Sequence, residues 1–255
     1  SSSFLLIPCQ PVASMAYSGS SAPGAPMEFG YWKIRGLGAV FRMILEYKEA
    51  KYVDKQYTTG EEWFKDRKPA ILALNPLANL PYIVDGDTCV CQTNAIMSYL
   101  GDKFDMNGTT EAQKIRTQEL LCEIYDVRNS MIDLVYPFKN VTRNKEEFNT
   151  NAKAKVEKPP FAKFENLLAF KDNLSGGKWF VLKDGPGVAD FHIWEMLDQH
   201  KMLSERIGGP DIFAEFPKCK AFYDAFKALP TLKNYFASEA YKLDVNNKIA
   251  NPHFA

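Results

Sequence analysis

The chain has 255 residues, of which 46% are hydrophobic and 24% charged, proportions that are ordinary for a soluble globular protein. Its 31 basic side chains equal its 31 acidic ones, which argues against nucleic acid as a partner, because that would need a basic excess. No run of about 18 apolar residues occurs, so we expect no membrane span. The length suits one large domain or two modest ones, each able to bury a core.

Residues 1–26 carry no charged side chain and are rich in Ser, Ala, Pro and Gly. This composition predicts a flexible extension, either a linker or the remnant of an organelle-targeting segment. The alternative is an arm that docks the protein to a larger assembly. We therefore leave these residues out of the fold argument.

A compact pattern follows from Met27. A strand at 27–32 leads into a helix at about 39–50, and a second strand covers 51–57. Residues 60–74 predict an irregular helix, disturbed at Pro69. Two short strands then meet in a tight turn at 85–87, and a helix follows with Thr93 as its N-cap. This order predicts a small mixed sheet with helices packed on it.

Strand signals fade after about residue 108, and long amphipathic patterns take over. The helices that we predict there cover 111–136, about 145–172 with an interruption at 159–160, 187–203, 218–229 and 232–241. The chain therefore divides into a mixed α/β domain at 27–108 and an all-helical domain at 109–255.

Cysteine and histidine give no sign of a metal site or a disulfide framework. The five cysteines are scattered and odd in number, so we interpret them as core or surface thiols: Cys9, Cys89, Cys91, Cys122 and Cys219. His192 and His200 lie about two helical turns apart, without metal-ligand spacing, and we interpret them as packing or surface residues. We expect no metal.

Three local features could carry chemistry. Tyr31 and Trp32 lie at the exit of the first strand, where two aromatics are more often part of a core. Pro81 stands immediately before a strand that it cannot join as a donor, which leaves the backbone of Leu80 free to pair with an extended peptide.

The third feature is Gln92-Thr93, which opens a helix. A helix N-terminus binds anions through its free N–H groups, and a threonine hydroxyl adds a donor. Each of the three features is weak alone, but a peptide-like ligand with a carboxylate and a thiol would use all of them.

In this order the motifs resemble the cytosolic glutathione transferases, and the mu class most. The matching segments are "GYWKIRGL", "LEY" with Arg42, "NLPYIVDGD", "QTNAIMSYL", "YDVR" and "VADF…LDQH", within about residues 27–240. The resemblance implies a thioredoxin-like domain with a mixed four-stranded sheet, followed by an all-α domain. It also implies an enzyme that activates glutathione, its co-substrate, as a thiolate and conjugates it to electrophilic apolar compounds.

The same resemblance implies a role for particular residues. Tyr31 would be the catalytic residue whose hydroxyl hydrogen-bonds the glutathione sulfur. The residues implied to bind glutathione are Trp32, Trp63, Arg67 or its substitute Lys68, Asn79, Leu80, Pro81, Gln92, Thr93 and Asp126. Asp126 would reach the glutathione of a neighbouring subunit, so a homodimer is expected. The residues implied to face the second substrate are Ile34, Leu37, Arg128 and Tyr136.

The sequence departs from the family pattern at three positions, none of which removes chemistry: Val40 replaces a frequent proline, Thr93 a serine, and Gly187 the usual Ser or Thr helix cap. Gly187 and the uncharged residues 1–26 motivate one alternative, a catalytically silent binding or structural subunit. A second alternative is a glutathione-dependent isomerase, because related classes catalyse isomerisation. The expected compartment is the cytoplasm, or an organelle (plastid or mitochondrion) if residues 1–26 are a targeting remnant.

Overall fold

A computed structural model of the chain describes residues 26–139 and 142–247. Its first part contains the predicted mixed four-stranded sheet, with the strand order β2-β1-β3-β4. β1 runs parallel to β2 and antiparallel to β3, and β3 and β4 form the predicted hairpin. The strands are β1 Met27–Trp32, β2 Tyr52–Tyr57, β3 Tyr82–Asp85 and β4 Thr88–Cys91.

Helices make up most of the remaining described chain. The α-helices are α1 Gly38–Tyr47, α2 Lys68–Leu74, α3 Thr93–Lys103, α4 Glu111–Val135, α5 Lys145–Glu157, α6 Ala162–Ala169, α7 Val188–Ile207, α8 Pro217–Lys227 and α9 Lys233–Ala237. From α4 onward the described residues contain no strand, which confirms the predicted fold class. The proposed domain boundary at 108/109 lies between α3 and α4 and stays a prediction.

The two faces of β1 carry different cores, because successive side chains of a strand point in opposite directions. Phe29 faces α1, where its ring centroid lies 5.5 Å from that of Phe41. Gly30 faces the other way and leaves room for the ring of Tyr82, since a Cβ there would lie 2.1 Å from Tyr82 Cε1. Tyr31 is therefore on the α1 face.

A π-helix, Glu62–Arg67, and α2 cover the Gly30 face of the sheet. The side chain of Trp63 is 1% exposed and stacks on Tyr82, with the ring centroids 5.8 Å apart. The predicted irregularity is present, but it precedes Pro69, which lies in the first turn of α2. Proline is tolerated there because a first-turn N–H has no partner within the helix.

The start of α3 differs from the prediction by one residue. Thr93 is not the N-cap: the cap is Gln92, with φ 76° and ψ 129°, and Thr93 is the first helical residue. A positive φ at a residue other than glycine is a strained conformation, which local sequence pattern does not reveal. Since no side chain caps α3, the N–H groups of its first turn remain available to a ligand.

The helical part is built around α7, in which every residue from Val188 to His200 is buried. α1, α4 and α5 pack against this helix. His192 and His200 are both buried in this helix. They are therefore packing residues and not surface residues. One hydrophobic core runs from the α1 face of the sheet into the helices.

Candidate functional site

Three of the predicted features meet at one end of the sheet. Gly30 pairs with Tyr82, and Tyr82 pairs with Cys91. The end of β1, the start of β3 and the end of β4 therefore lie side by side. The residues that this pairing brings to the same end of the sheet are Tyr31, Trp32, Leu80, Pro81, Gln92 and Thr93.

Tyr31 is enclosed by the loop that follows β1. Its side chain is 5% exposed, and its hydroxyl oxygen accepts a hydrogen bond from Leu37 N at 3.2 Å. Gly36 has φ 38°, and a Cβ there would lie 2.9 Å from the Tyr31 hydroxyl oxygen. Glycine thus lets the loop close on the phenol.

The Tyr31 phenol is protonated at neutral pH. Burial raises its pKa above the usual 10, and the Arg128 cation and the Leu37 N–H oppose this shift without reversing it. Because the hydroxyl oxygen already accepts a hydrogen bond, its proton is available for donation to a ligand.

A narrow pocket of about 20 Å³ adjoins Tyr31, between the loop after β1, α4 and α7. Three of the predicted second-substrate residues line it: Ile34, Arg128 and Tyr136. Leu37 is not among the described residues that line it, and contributes its backbone N–H to Tyr31 instead. Tyr136 is 7% exposed, and its hydroxyl accepts a hydrogen bond from Asn247 N at 3.1 Å.

Several lining residues were not predicted from the sequence. They are Met131, Ile132, Val135, Gln199 and Asn246. The first three follow Arg128 by three, four and seven positions on α4, a spacing that places them on its face of the helix. Periodicity counted from Arg128 therefore identifies them. Gln199 belongs to the "LDQH" motif, but that motif assigns it no role.

The other residues predicted to bind glutathione at this end of the sheet differ in solvent exposure. Asn79 and Gln92 are exposed, Trp32 and Leu80 are half-buried, and Thr93 and Pro81 are buried. The peptide bond between Leu80 and Pro81 is cis. Asp126 is exposed on α4, where a residue that reaches a second copy of the chain would have to be.

Trp63 lies on the face of the sheet opposite Tyr31, in a cluster against which Trp32 and Leu80 also pack. Trp63 packs against Tyr82 on this face of the sheet. Arg67 forms an ion pair with Glu28, and its Nε donates to the Tyr82 hydroxyl at 3.2 Å. Glu28 precedes Tyr31 by three positions, about 10 Å along the strand. Both roles in glutathione binding stay predictions; in this structure Trp63 is a buried side chain and Arg67 is the ion-pair partner of Glu28.

Lys68, the predicted substitute for Arg67, is half-buried, with its Nζ 5.5 Å from the ring centroid of Phe64. Arg67 and Lys68 both remain candidate basic residues of the site. Within 26–139 and 142–247, no group of three or more His, Cys, Asp or Glu side chains is arranged to hold a metal ion. No helix in these ranges is long and apolar enough to cross a membrane.

A phenol and an uncapped helix N-terminus at the end of such a sheet, next to helices, agree with the predicted resemblance to the thioredoxin-like, glutathione-using transferases. Family models described as "Glutathione S-transferase, N-terminal domain" and "Glutathione S-transferase, C-terminal domain" match residues 27–102 and 125–239. The chain therefore belongs to the glutathione S-transferase family, a family of enzymes with glutathione as co-substrate.

Individual relatives agree with the predicted resemblance to the mu class. Glutathione S-transferase Mu 5 of Rattus norvegicus is 34% identical over 231 residues, which cover 88% of this chain and 94% of that protein. Glutathione S-transferase Mu 3 of Homo sapiens is 34% identical over 229 residues, with the same coverage of 88% and 94%. A pi-class structure from Onchocerca volvulus superposes with a TM-score of 0.70 at 25% identity, covering 88% of this chain and 99% of that one.

Proposed function

We propose that this chain activates the thiol of glutathione as a thiolate and conjugates it to electrophilic apolar compounds. The observation that carries the proposal is the Tyr31 hydroxyl, which is buried and protonated, has its oxygen occupied by Leu37 N–H, and adjoins a pocket. A hydrogen bond from a neutral phenol favours the charged form of a thiol. Tyr31 is thus the proposed catalytic residue.

The size of the required effect is moderate. A free thiol with a pKa of about 8.5 is mostly protonated at neutral pH, and lowering that pKa by about two units takes roughly 2.7 kcal/mol of stabilisation of the anion. The thiol proton is released to solvent. The thiolate then attacks an electrophilic carbon, either adding to it or displacing a leaving group that departs with its bonding electron pair. Tyr136, whose oxygen accepts from Asn247 N, donates its proton towards the charge that develops on the electrophile.

The same end of the sheet carries groups that can bind the rest of glutathione. A carboxylate of the tripeptide binds at the uncapped N-terminus of α3, next to Gln92 and Thr93. Its extended backbone pairs with Leu80, ahead of Pro81. Further contacts come from Trp32, Trp63, Asn79 and either Arg67 or Lys68. Ile34 and Arg128 face the electrophile.

Replacing Tyr31 with Phe tests this function. Because the ring is kept and the donor is lost, we expect the variant to bind immobilised glutathione as before. Its conjugation rate at pH 6.5 should fall by about 100-fold, the factor that corresponds to two pKa units. The difference in rate between the wild type and the variant should become smaller as the pH approaches the pKa of the free thiol. A chromogenic aryl-halide assay measures the rate, and unchanged turnover at pH 6.5 would remove Tyr31 from the mechanism.

The same two assays on the wild-type protein, together with an enone conjugation assay and a double-bond isomerisation assay, separate the alternatives. Retention on glutathione together with turnover supports the transferase. Retention without turnover of any aryl halide or enone would instead make the chain a binding subunit, and double-bond isomerisation without conjugation would make it an isomerase.

We also propose that the chain forms a homodimer and works in the cytoplasm. The exposed position of Asp126 supports the dimer, as does a group of exposed apolar side chains on the segment 62–77. Of residues 1–26, proposed as a flexible extension, a targeting remnant or a docking arm, residues 1–25 lie outside the described part of the chain.

A further inference from the structure

A buried ionic cluster joins the loop after β1 to the central helix α7. Arg35, Glu195 and Asp198 are 2%, 0% and 3% exposed. Arg35 donates from Nε and Nη2 to the two oxygens of Glu195, at 3.1 and 2.8 Å, and from Nη2 to Asp198 Oδ2 at 2.7 Å. With the side chains that donate to the carboxylates, the Arg35 cluster consists of Arg35, Glu195, Asp198, Gln199, Tyr223 and Tyr241.

Every carboxylate oxygen in the Arg35 cluster accepts a hydrogen bond. Tyr223 donates to Asp198 Oδ1 at 2.6 Å and Tyr241 donates to Asp198 Oδ2 at 3.2 Å, while Gln199 donates to Glu195 Oε1 at 2.8 Å. Taking two carboxylates and a guanidinium out of water is costly, and well-packed apolar side chains often stabilise such an interior equally well. Stability alone therefore does not account for the cluster.

The Arg35 cluster is connected to the site through the backbone of the loop after β1. Arg35 is next to Gly36, which lines the pocket, and is two residues before Leu37, whose N–H binds the Tyr31 hydroxyl. This loop has no strand or helix of its own, and α1 begins without a side-chain N-cap. Arg42 holds the start of the loop through the Ile34 carbonyl at 2.7 Å, so Arg35 is the anchor that ties it to α7.

Two further connections run from the cluster to the pocket. Gln199, the donor to Glu195, is itself a lining residue. The backbone N–H groups of Arg35 and Gly36 donate to the carbonyls of Asp244 and Val245, at 2.7 and 3.0 Å, which holds the end of the described chain on the same loop.

We propose that the Arg35 cluster is a positioning device for the thiol chemistry: it keeps Leu37 N–H on the Tyr31 oxygen and so directs the hydroxyl proton to the glutathione sulfur. The proposal rests on the proposed function. Arg35 touches neither substrate, and is therefore a positioning residue rather than a catalytic one. Arg42, Arg128 and Tyr136 also face Tyr31 and are left unchanged in the test.

The decisive variant is Arg35→Lys. It keeps the positive charge but lacks the planar fork that bonds both Glu195 oxygens and Asp198 together. We expect the apparent pKa of the bound glutathione thiol, followed by thiolate absorbance and by the pH dependence of kcat/KM, to rise by about one unit. Conjugation at pH 6.5 should then fall about tenfold, while binding of glutathione changes little.

The Tyr31→Phe background and a stability control separate positioning from other roles. In the Tyr31→Phe background, Arg35→Lys should cause no further shift in the thiol pKa, because the proposed effect of Arg35 on the thiol requires the Tyr31 hydroxyl. Asp190→Asn, a buried change at the start of α7 away from the pocket, should lower stability without moving the thiol pKa. A shift that persists without the Tyr31 hydroxyl would overturn the proposal, as would an unchanged pKa in Arg35→Lys.

Tyr223→Phe provides a milder test if Arg35→Lys does not fold. It removes one donor to Asp198 and keeps the ring that stacks on Trp194, with centroids 5.3 Å apart. We expect a smaller rise of the thiol pKa in the same direction, and no rise would count against the proposal. Failure of the proposed function looks different: the wild-type protein itself would then show no thiol pKa below that of free glutathione.

Discussion

At the scale of single residues, Tyr31 shows how burial and one hydrogen bond prepare a side chain for chemistry. Burial keeps the phenol neutral, because its pKa lies above 10. The Leu37 N–H donates a hydrogen bond to the hydroxyl oxygen, so the hydroxyl proton is free to be donated to a ligand. The fold thus produces a donor rather than a base, as stabilisation of a thiolate requires.

Arg128 is a second residue whose charge acts on the site. It is half-buried, lines the pocket and lowers the pKa of both Tyr31 and Tyr136 against the effect of burial. We expect Arg128→Gln to weaken both donors and to reduce kcat/KM for a neutral electrophile about fivefold, on the order of 1 kcal/mol for such a charge.

Arg128→Lys is the matched control, because it keeps the charge and should retain most of the activity. Steady-state kinetics at pH 6.5 measure both variants. Equal losses in the Gln and Lys variants would contradict the electrostatic role and would indicate that the shape of the guanidinium matters instead.

The sequence could single out Tyr31 as the candidate thiol activator because a strand exit, a proline and a helix start occur in one register and match the family pattern. For Trp63 and Arg67 the sequence does not show which face of the sheet they cover. That face is decided by Gly30, whose missing side chain admits Tyr82 and so gives Trp63 a stacking partner. Such a contact joins segments too distant in the chain for local pattern to reveal.

At the scale of elements, the start of α7 depends on Asp190. This buried carboxylate accepts hydrogen bonds from Phe180 N at 3.1 Å and from Gly187 N at 3.0 Å. Asp190→Ala leaves both donors without a partner, so we expect it to lower the free energy of unfolding by about 3 kcal/mol at pH 5. Asp190→Asn keeps one acceptor oxygen and should lose about half as much, as urea titration at constant protein concentration would show.

The same carboxylate makes this contribution depend on pH. Burial raises the pKa of Asp190 from 3.8 to about 7, against the effect of its backbone donors. Between these values the folded chain keeps a proton that the unfolded chain has released, so the stabilisation is complete below about pH 4 and is lost as the pH rises to 7. The stability difference between the wild type and Asp190→Asn should shrink over this range. A constant difference would show that Asp190 is already ionised.

The element boundaries were largely predictable, because hydrophobic periodicity and turn residues mark them. The exception with a functional consequence is the start of α3. Threonine is a common N-cap, yet Gln92 takes that position with a positive φ, and Thr93 enters the helix and is buried. The ladder that aligns Cys91 with Tyr82 fixes where β4 ends, and the turn into α3 must follow from there.

At the scale of the whole molecule, the order of elements predicted two kinds of architecture but not how they meet. The contact of α1 with α7 and the ion pairs of Arg35 with Glu195 place the loop after β1 against the helical part. The pocket is formed there, from residues between 31 and 246. Its position depends on long-range packing, which periodicity does not specify.

The outer surface provides the last prediction, which concerns assembly. Four apolar side chains on the segment 62–77 are exposed: Phe64 at 58%, Leu72 at 45%, Leu74 at 38% and Leu77 at 68%. A second copy of the chain is the proposed partner for this patch. We expect the wild type to sediment with twice the chain mass at micromolar concentration and Leu77→Asp to shift it towards the monomer. Phe170→Asp, at a residue 55% exposed on the helical part, should leave the mass unchanged.

Assembly should also affect glutathione binding, because Asp126 is proposed to reach the neighbouring site. If so, the monomeric Leu77→Asp variant and the dimeric Asp126→Asn variant should both raise the KM for glutathione, about tenfold, which is about 1.4 kcal/mol for one lost charged hydrogen bond. Combining the two changes should add little, since each removes the same contact. Fully additive losses would show that Asp126 acts within its own chain, and a wild type that sediments as a monomer would contradict the dimer itself.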